Sequence, residues 1–198
     1  MEKGRNKMEQ KSIETRSVED VKPLDDMTIT GYAIKFDEKS KLLGNYYEVI
    51  DSKALDKVNL SDVKCYFNHD SSAVLGRTKA KTLELSIDGK GLMFKCMLPN
   101  TTYAKDLYES IKRGDVNECS FGFLVDKKNA NAQKIVRNSD GTFTRYIYEI
   151  AELTEISIVP EPAYNDTSVE VAKRSLDEAK EKYEKEKISL ELELLTLS

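Results

Sequence analysis

Residues 117–125, Asn-Glu-Cys-Ser-Phe-Gly-Phe-Leu-Val, constrain this chain more than any other stretch. Read with a period of two, Cys119, Phe121, Phe123 and Val125 share one face, and Ser120, Gly122 and Leu124 share the other. The first face is apolar enough to be core. The second sets a hydroxyl beside a residue with no side chain, leaving room for a substrate backbone. The chain holds a single histidine, His69, so serine chemistry with an imidazole base must use that one. The expectation is that Ser120 and His69 meet across a sheet as a nucleophilic site.

A chain of 198 residues can bury one substantial core and carry an appendage. A net charge of −4 argues against a nucleic-acid binder, which would show a basic patch. No run of 18 or more apolar residues reads as a membrane span, and residues 1–26 lack the apolar centre of a signal peptide. Cys65, Cys96 and Cys119 are too few and too scattered for a disulfide framework or a zinc cluster. Each sits in a strand-like run as a reduced, buried thiol, which fits a cytosolic compartment.

Taken in order, residues 1–26 have little periodicity and read as a loose N-terminal arm, with 13–21 tacked onto a sheet edge. Residues 27–36 and 45–50 alternate as strands, and Asp51 or Ser52 caps a short helix through Val58. Residues 63–69 read as a strand with Val63, Cys65, Phe67 and His69 on one face, ended by an Asp70-Ser71-Ser72 turn. Residues 74–81 and 82–87 suggest two more strands, and Asp88 to Gly91 a hairpin turn into residues 92–98. Ala104, Leu107, Tyr108 and Ile111 recur at helical spacing over 103–113, with Gly114 as the stop. Residues 134–137 and 143–150 form a hairpin around Asn138 to Gly141, and 152–159 is the last strand before Pro160 and Pro162. The organisation expected is an arm over 1–26, a main domain over 27–171 and a charged helical appendage over 172–198.

Composition alone does not make this an enzyme. A lone histidine is more often structural, and the chain has no Gly-x-Ser-x-Gly elbow, no phosphate-binding loop and no metal-type histidine cluster. The ordered set of motifs says more. It comprises Ile29-Thr-Gly-Tyr-Ala33, Asn68-His-Asp70 with Val74-Leu-Gly-Arg-Thr78, Asp88-Gly-Lys-Gly-Leu92, Gly114 with Ser120-Phe-Gly-Phe123, and Leu153-Thr-Glu-Ile-Ser-Ile-Val159 with Pro162-Ala-Tyr164. With these, residues 30–171 resemble the prohead maturation proteases of tailed bacteriophages, which are similar in fold to the herpesvirus assemblins.

The resemblance implies a mainly β fold: a closed or nearly closed antiparallel barrel with flanking helices. It implies a serine endopeptidase, with Ser120 as nucleophile and His69 as base, cleaving scaffold and capsid-protein precursor, and itself, during prohead maturation. It further implies no cofactor and no metal, association as a homodimer, and action inside the assembling prohead in the host bacterial cytoplasm. The herpesvirus relatives orient their base with a second histidine, which this chain lacks. Glu155, which shares a face with Ser157, is the first choice for that place, with Glu152 next and Glu149 and Asp70 behind. The relatives' arginine pair has no counterpart in residues 160–166, and Arg77 fits either an assisting group or a salt bridge of the fold. Two other readings stay open: a non-catalytic scaffold or assembly-adaptor protein, and a binding module using Phe121 and Phe123. Cys119, pointing away from Ser120, is the less favoured nucleophile, and Cys65 shares the His69 face of its strand but is set back along it.

Overall fold

The computed structural model describes residues 13–126 and 128–161, together with 177, 180, 181, 184, 185, 187–189 and 192, which are helical. Most of the expected appendage over 172–198, and residues 1–12 of the expected arm, lie outside the described residues. The strands are β1 (Glu14–Glu19), β2 (Lys22–Pro23), β3 (Thr28–Lys35), β4 (Tyr46–Ile50), β5 (Lys64–Phe67), β6 (Asp70–Arg77), β7 (Leu83–Ile87), β8 (Gly91–Met97), β9 (Glu118–Leu124), β10 (Gln133–Arg137), β11 (Phe143–Ile147) and β12 (Glu152–Val159). One α-helix, α1 (Thr102–Arg113), precedes β9. It buries Ala104, Leu107 and Ile111 and ends at Gly114, whose φ of 82° is the left-handed stop that glycine tolerates without a Cβ clash.

These strands do not close a barrel. They form a five-stranded sheet in the order β1-β9-β12-β5-β6, a four-stranded sheet β2-β3-β8-β7 and a three-stranded sheet β10-β11-β4. All three keep open edges among the described residues. Pairing is mostly antiparallel, but β12 runs parallel to β5 and β11 parallel to β4. The chain leaves the β6 edge through a 3-10 turn at Thr78–Ala80 and starts a new sheet at β7, so the strands that would close the ring belong to another layer. A shared core fills the space between layers. Phe121, Phe123, Ile156, Ile158 and Cys65 of the five-stranded sheet, Ile29, Leu92 and Phe94 of the four-stranded sheet, and the buried face of α1 all belong to it. Phe121 and Phe123 are stacked and fully buried, which removes them as an exposed binding face.

Several local expectations change. Residues 52–57 make successive i to i+3 turns, tied to Asp51 by Lys53 N–H donating to its Oδ1 at 2.9 Å. The segment is too short to pay the nucleation cost of an α-helix. The strand expected over 63–69 stops at Phe67, and Asn68 and His69 form a two-residue turn into β6. Both turn residues have positive φ, 52° and 60°, the conformation that two-residue hairpins demand.

The described end of the N-terminal segment is built into the fold, β1 pairing with β9 from Glu118 to Phe123. Charge rather than apolar alternation buries it. Glu14 and Arg16 of β1, Glu48 of β4 and Arg145 of β11 form a four-member ionic cluster that ties the five-stranded sheet to the three-stranded one. Arg145 Nη2 donates to Glu14 Oε1 at 2.9 Å, Arg145 Nη1 to Glu48 Oε2 at 3.0 Å, and Arg16 Nη2 to Glu48 Oε2 at 2.8 Å. Burial alone would raise the Glu14 pKa, but the charges and hydrogen bonds of Arg145 and Arg16 outweigh it and hold the carboxyl below its ordinary value. Burial pushes the adjacent Tyr46 phenol up to about 12.

Candidate active site

Residues opposed across paired strands project to the same face of a sheet, so the register of the five-stranded sheet defines the site. One row runs Ser17, Ser120, Ser157, Tyr66 across β1, β9, β12 and β5. The next row runs Thr15, Gly122, Glu155, Lys64. Cys119, Phe121 and Phe123 occupy the opposite, core face, as alternation requires. Ser120 and Ser157 are both completely buried.

A bulge aims Glu155 into this face. Leu153 opposes Phe123 and Glu155 opposes Gly122, so Thr154 is an extra residue in β12. Strict alternation would put Glu155 on the same face as Leu153, in the core. The inserted residue resets the parity, so that Leu153, Ile156 and Ile158 are buried in the core while Glu155 and Ser157 project to the Ser120 side. Gly122 makes room for this. A Cβ there would lie 2.5 Å from Thr154 Oγ1 and 3.0 Å from Glu155 Oε1. The space expected to receive a substrate backbone is thus filled by the bulge.

Glu155 Oε1 lies 2.8 Å from His69 Nδ1, with the two side chains 13% and 20% exposed. Glu155 Oε2 accepts a hydrogen bond from Ser157 Oγ at 2.6 Å. A carboxylate can only accept, so Nδ1 carries the proton and a neutral His69 presents Nε2 as its lone pair. His69 reaches the carboxylate from the β5–β6 turn, where Asn68 N–H bonds Ile158 O of β12 at 2.9 Å. His69 Nε2 and Ser120 Oγ are both buried, and neither has a hydrogen-bond partner among the described residues. No hydrogen bond therefore joins Ser120 to His69 in this state.

The other candidates are engaged elsewhere. Glu149 takes Lys57 at 2.8 Å, and Asp70 accepts from Ser72 N–H at 2.8 Å and Ser72 Oγ at 2.6 Å. Glu152 is exposed and opposes Leu124, three residues before the position that meets His69. Arg77 forms a two-point surface pair with Asp62 at 2.5 and 2.7 Å. The hydrogen bond from Arg77 holds the Asp62 carboxyl down to about 2. Cys119 and Cys65 are buried in the core. Burial first, and then the Glu155 charge, push the Cys119 thiol well above its ordinary pKa; contact with Cys96 and then burial do the same for Cys65. A cavity of about 370 Å³ opens beneath β1, lined by Arg16, Val18, Lys39, Glu48 and Phe121, and does not include His69 or Glu155.

Residues 11–182 match the family described as Caudovirus prohead serine protease. The chain belongs to that family. The protease is accordingly a serine-type endopeptidase of capsid maturation, an activity exercised in virion assembly on capsid or scaffold protein. Among solved structures, the protease is similar to the bacteriophage T4 capsid assembly protease gp21, with a TM-score of 0.44 at 12% identity over 74% of this chain and 95% of that one. No curated protein matches it.

Ser157 and Thr154 are the site residues that sequence reasoning did not assign. The bulge leaves one trace in the sequence: core residues Leu153, Ile156 and Ile158 are spaced three and then two, a break in the strand period.

Proposed function

We propose that Ser120 is the nucleophile of this protease, His69 its general base and Glu155 the group that orients the imidazole. The observation that carries this reading is the 2.8 Å contact of the chain's one histidine with Glu155, on the sheet face that bears Ser120. Ser120 Oγ attacks a peptide carbonyl carbon as its proton passes to His69 Nε2. The tetrahedral adduct collapses, the C–N bond breaks, and the imidazolium returns that proton to the leaving amine. Water then attacks the acyl-enzyme ester, giving its proton to Nε2; the ester bond breaks to release the acid, and the imidazolium passes that proton to Ser120 Oγ, restoring the hydroxyl and the neutral base. Glu155 stays ionised and stabilises the cationic imidazole between the two steps.

Seating of the substrate chain completes the Ser120–His69 hydrogen bond, as catalytic hydrogen bonds tighten on forming the Michaelis complex. On this reading the substrates are the major capsid or scaffold precursor and the protease's own chain. The protease works as a homodimer enclosed in the prohead, within the host bacterial cytoplasm.

His69→Ala and Glu155→Gln test the assignment. Cleavage of the capsid precursor should fall by about 10³-fold or more in the first and by about 10²-fold or more in the second. Wild-type rates in His69→Ala would overturn it.

A further inference from the structure

We infer that Ser157 is a positioning residue for the reaction, holding the Glu155 carboxylate in the orientation that His69 needs. The inference rests on the assignment of Ser120, His69 and Glu155 above and adds a member to it. A carboxylate with one oxygen on an imidazole can swing about its last torsion unless the other oxygen is fixed, because that torsion is broad and has no strong staggered preference. Here the second oxygen is fixed: Ser157 Oγ donates to Glu155 Oε2 at 2.6 Å while Oε1 meets His69 Nδ1 at 2.8 Å.

The anchor is itself rigid. Ser157 is completely buried, and its strand pairs with β9 on one side and β5 on the other. Its Cα partner is Ser120, so one residue pair fixes the strand carrying the nucleophile relative to the strand carrying the acid. Glu155, Ile156 and Ser157 belong to an unbroken ladder along β12, since the register shift lies before Glu155. The hydroxyl therefore acts from a fixed frame on the carboxylate. A hydrogen bond to a charged acceptor in a water-poor site is strong enough to matter at this distance.

The experiment is a double-mutant cycle on the full chain, with cleavage of the capsid precursor as the readout: Ser157→Ala, Glu155→Ala and the pair. Ser157→Ala should lower kcat by about 10-fold or more with KM unchanged, because it removes a group that fixes the acid without touching substrate. In the Glu155→Ala background the same change should cost less than about 2-fold, there being no carboxylate left to hold. Equal losses in both backgrounds, or a loss confined to KM, would assign Ser157 to packing and overturn the inference. Ser157→Cys, which keeps a side chain of similar shape with a weaker donor, should give an intermediate kcat. It also carries the test if the alanine variant does not fold, and a wild-type kcat in it would overturn the inference too. Ser120→Ala, run alongside, separates the two claims. An inactive Ser120→Ala with a fully active Ser157→Ala removes only the positioning role, whereas an active Ser120→Ala removes the catalytic assignment beneath it.

Discussion

Gly122 and Glu155 oppose each other across the β9–β12 pair, and the carboxylate stands where a Gly122 side chain would begin, 3.0 Å from the ideal Cβ position. Sheet, bulge and acid are therefore one device. The missing side chain on β9 leaves the space in which the bulge at Thr154 turns the Glu155 carboxylate towards His69.

That relationship predicts the behaviour of Gly122→Ala. The new methyl meets Thr154 Oγ1 at 2.5 Å and Glu155 Oε1 at 3.0 Å, so both must shift. A misplacement of about 1 Å at such a site costs about 10²-fold, so a shift of a few tenths of an ångström in the carboxylate should lower turnover by about 10-fold. Steady-state cleavage should show this fall, and Gly122→Ala/Thr154→Ala, which removes the nearest atom, should recover part of it. An unimpaired Gly122→Ala enzyme would mean that the bulge does not aim the acid.

The turn that carries His69 yields a second expectation. Asn68 has φ 52°, which glycine and asparagine accept and β-branched residues resist. Asn68→Gly should keep both melting temperature and activity. Asn68→Val should cost about 1–2 kcal/mol and depress cleavage by moving the imidazole. Thermal unfolding and precursor cleavage of the two variants distinguish these outcomes.

The buried ionic cluster makes stability depend on acid. Because the folded-state pKa of Glu14 is held below its ordinary value of 4.5, its contribution is present above that value and is lost as pH falls through the folded-state pKa. Denaturant midpoints should therefore decline below about pH 4.5, with a shallower decline in Glu14→Gln. Arg145→Met leaves Glu14 and Glu48 with Arg16 alone of the cluster's two cations and should destabilise the fold by about 3–5 kcal/mol. A flat profile in both proteins would show that the cluster is not linked to folding.

The three cysteines, fully buried, should resist a maleimide in the native protease and react only in denaturant. Rapid native alkylation accompanied by loss of cleavage would return Cys119 or Cys65 to consideration as the nucleophile.

How far the sequence carried this picture depends on how local each signal was. The alternation of Cys119, Phe121 and Phe123 was plain because their face is uniformly apolar, and α1 was plain because spacing and Gly114 agree. Open sheets in place of a barrel were hidden, since pairing partners such as β12 with β5 are set by packing and not by either strand's own pattern. The edge position of β1 was expected for residues 13–21, but its burial was hidden: Glu14 and Arg16 look solvent-facing until Glu48 and Arg145 arrive from distant strands to neutralise them. Glu155 was picked for its place in the run that resembles the family's third-member strand and for sharing a face with Ser157, but the bulge that turns both away from Leu153 and the bond between the two side chains were visible only in register and distance.

The central claim is that Ser120 performs the attack, and intact-mass measurement after co-expression with the matching capsid precursor tests it most directly. Wild type and Cys119→Ser should both convert the precursor to shorter species, while Ser120→Ala leaves every chain at full mass. Cleavage products of unchanged mass in the Ser120→Ala sample would contradict the account.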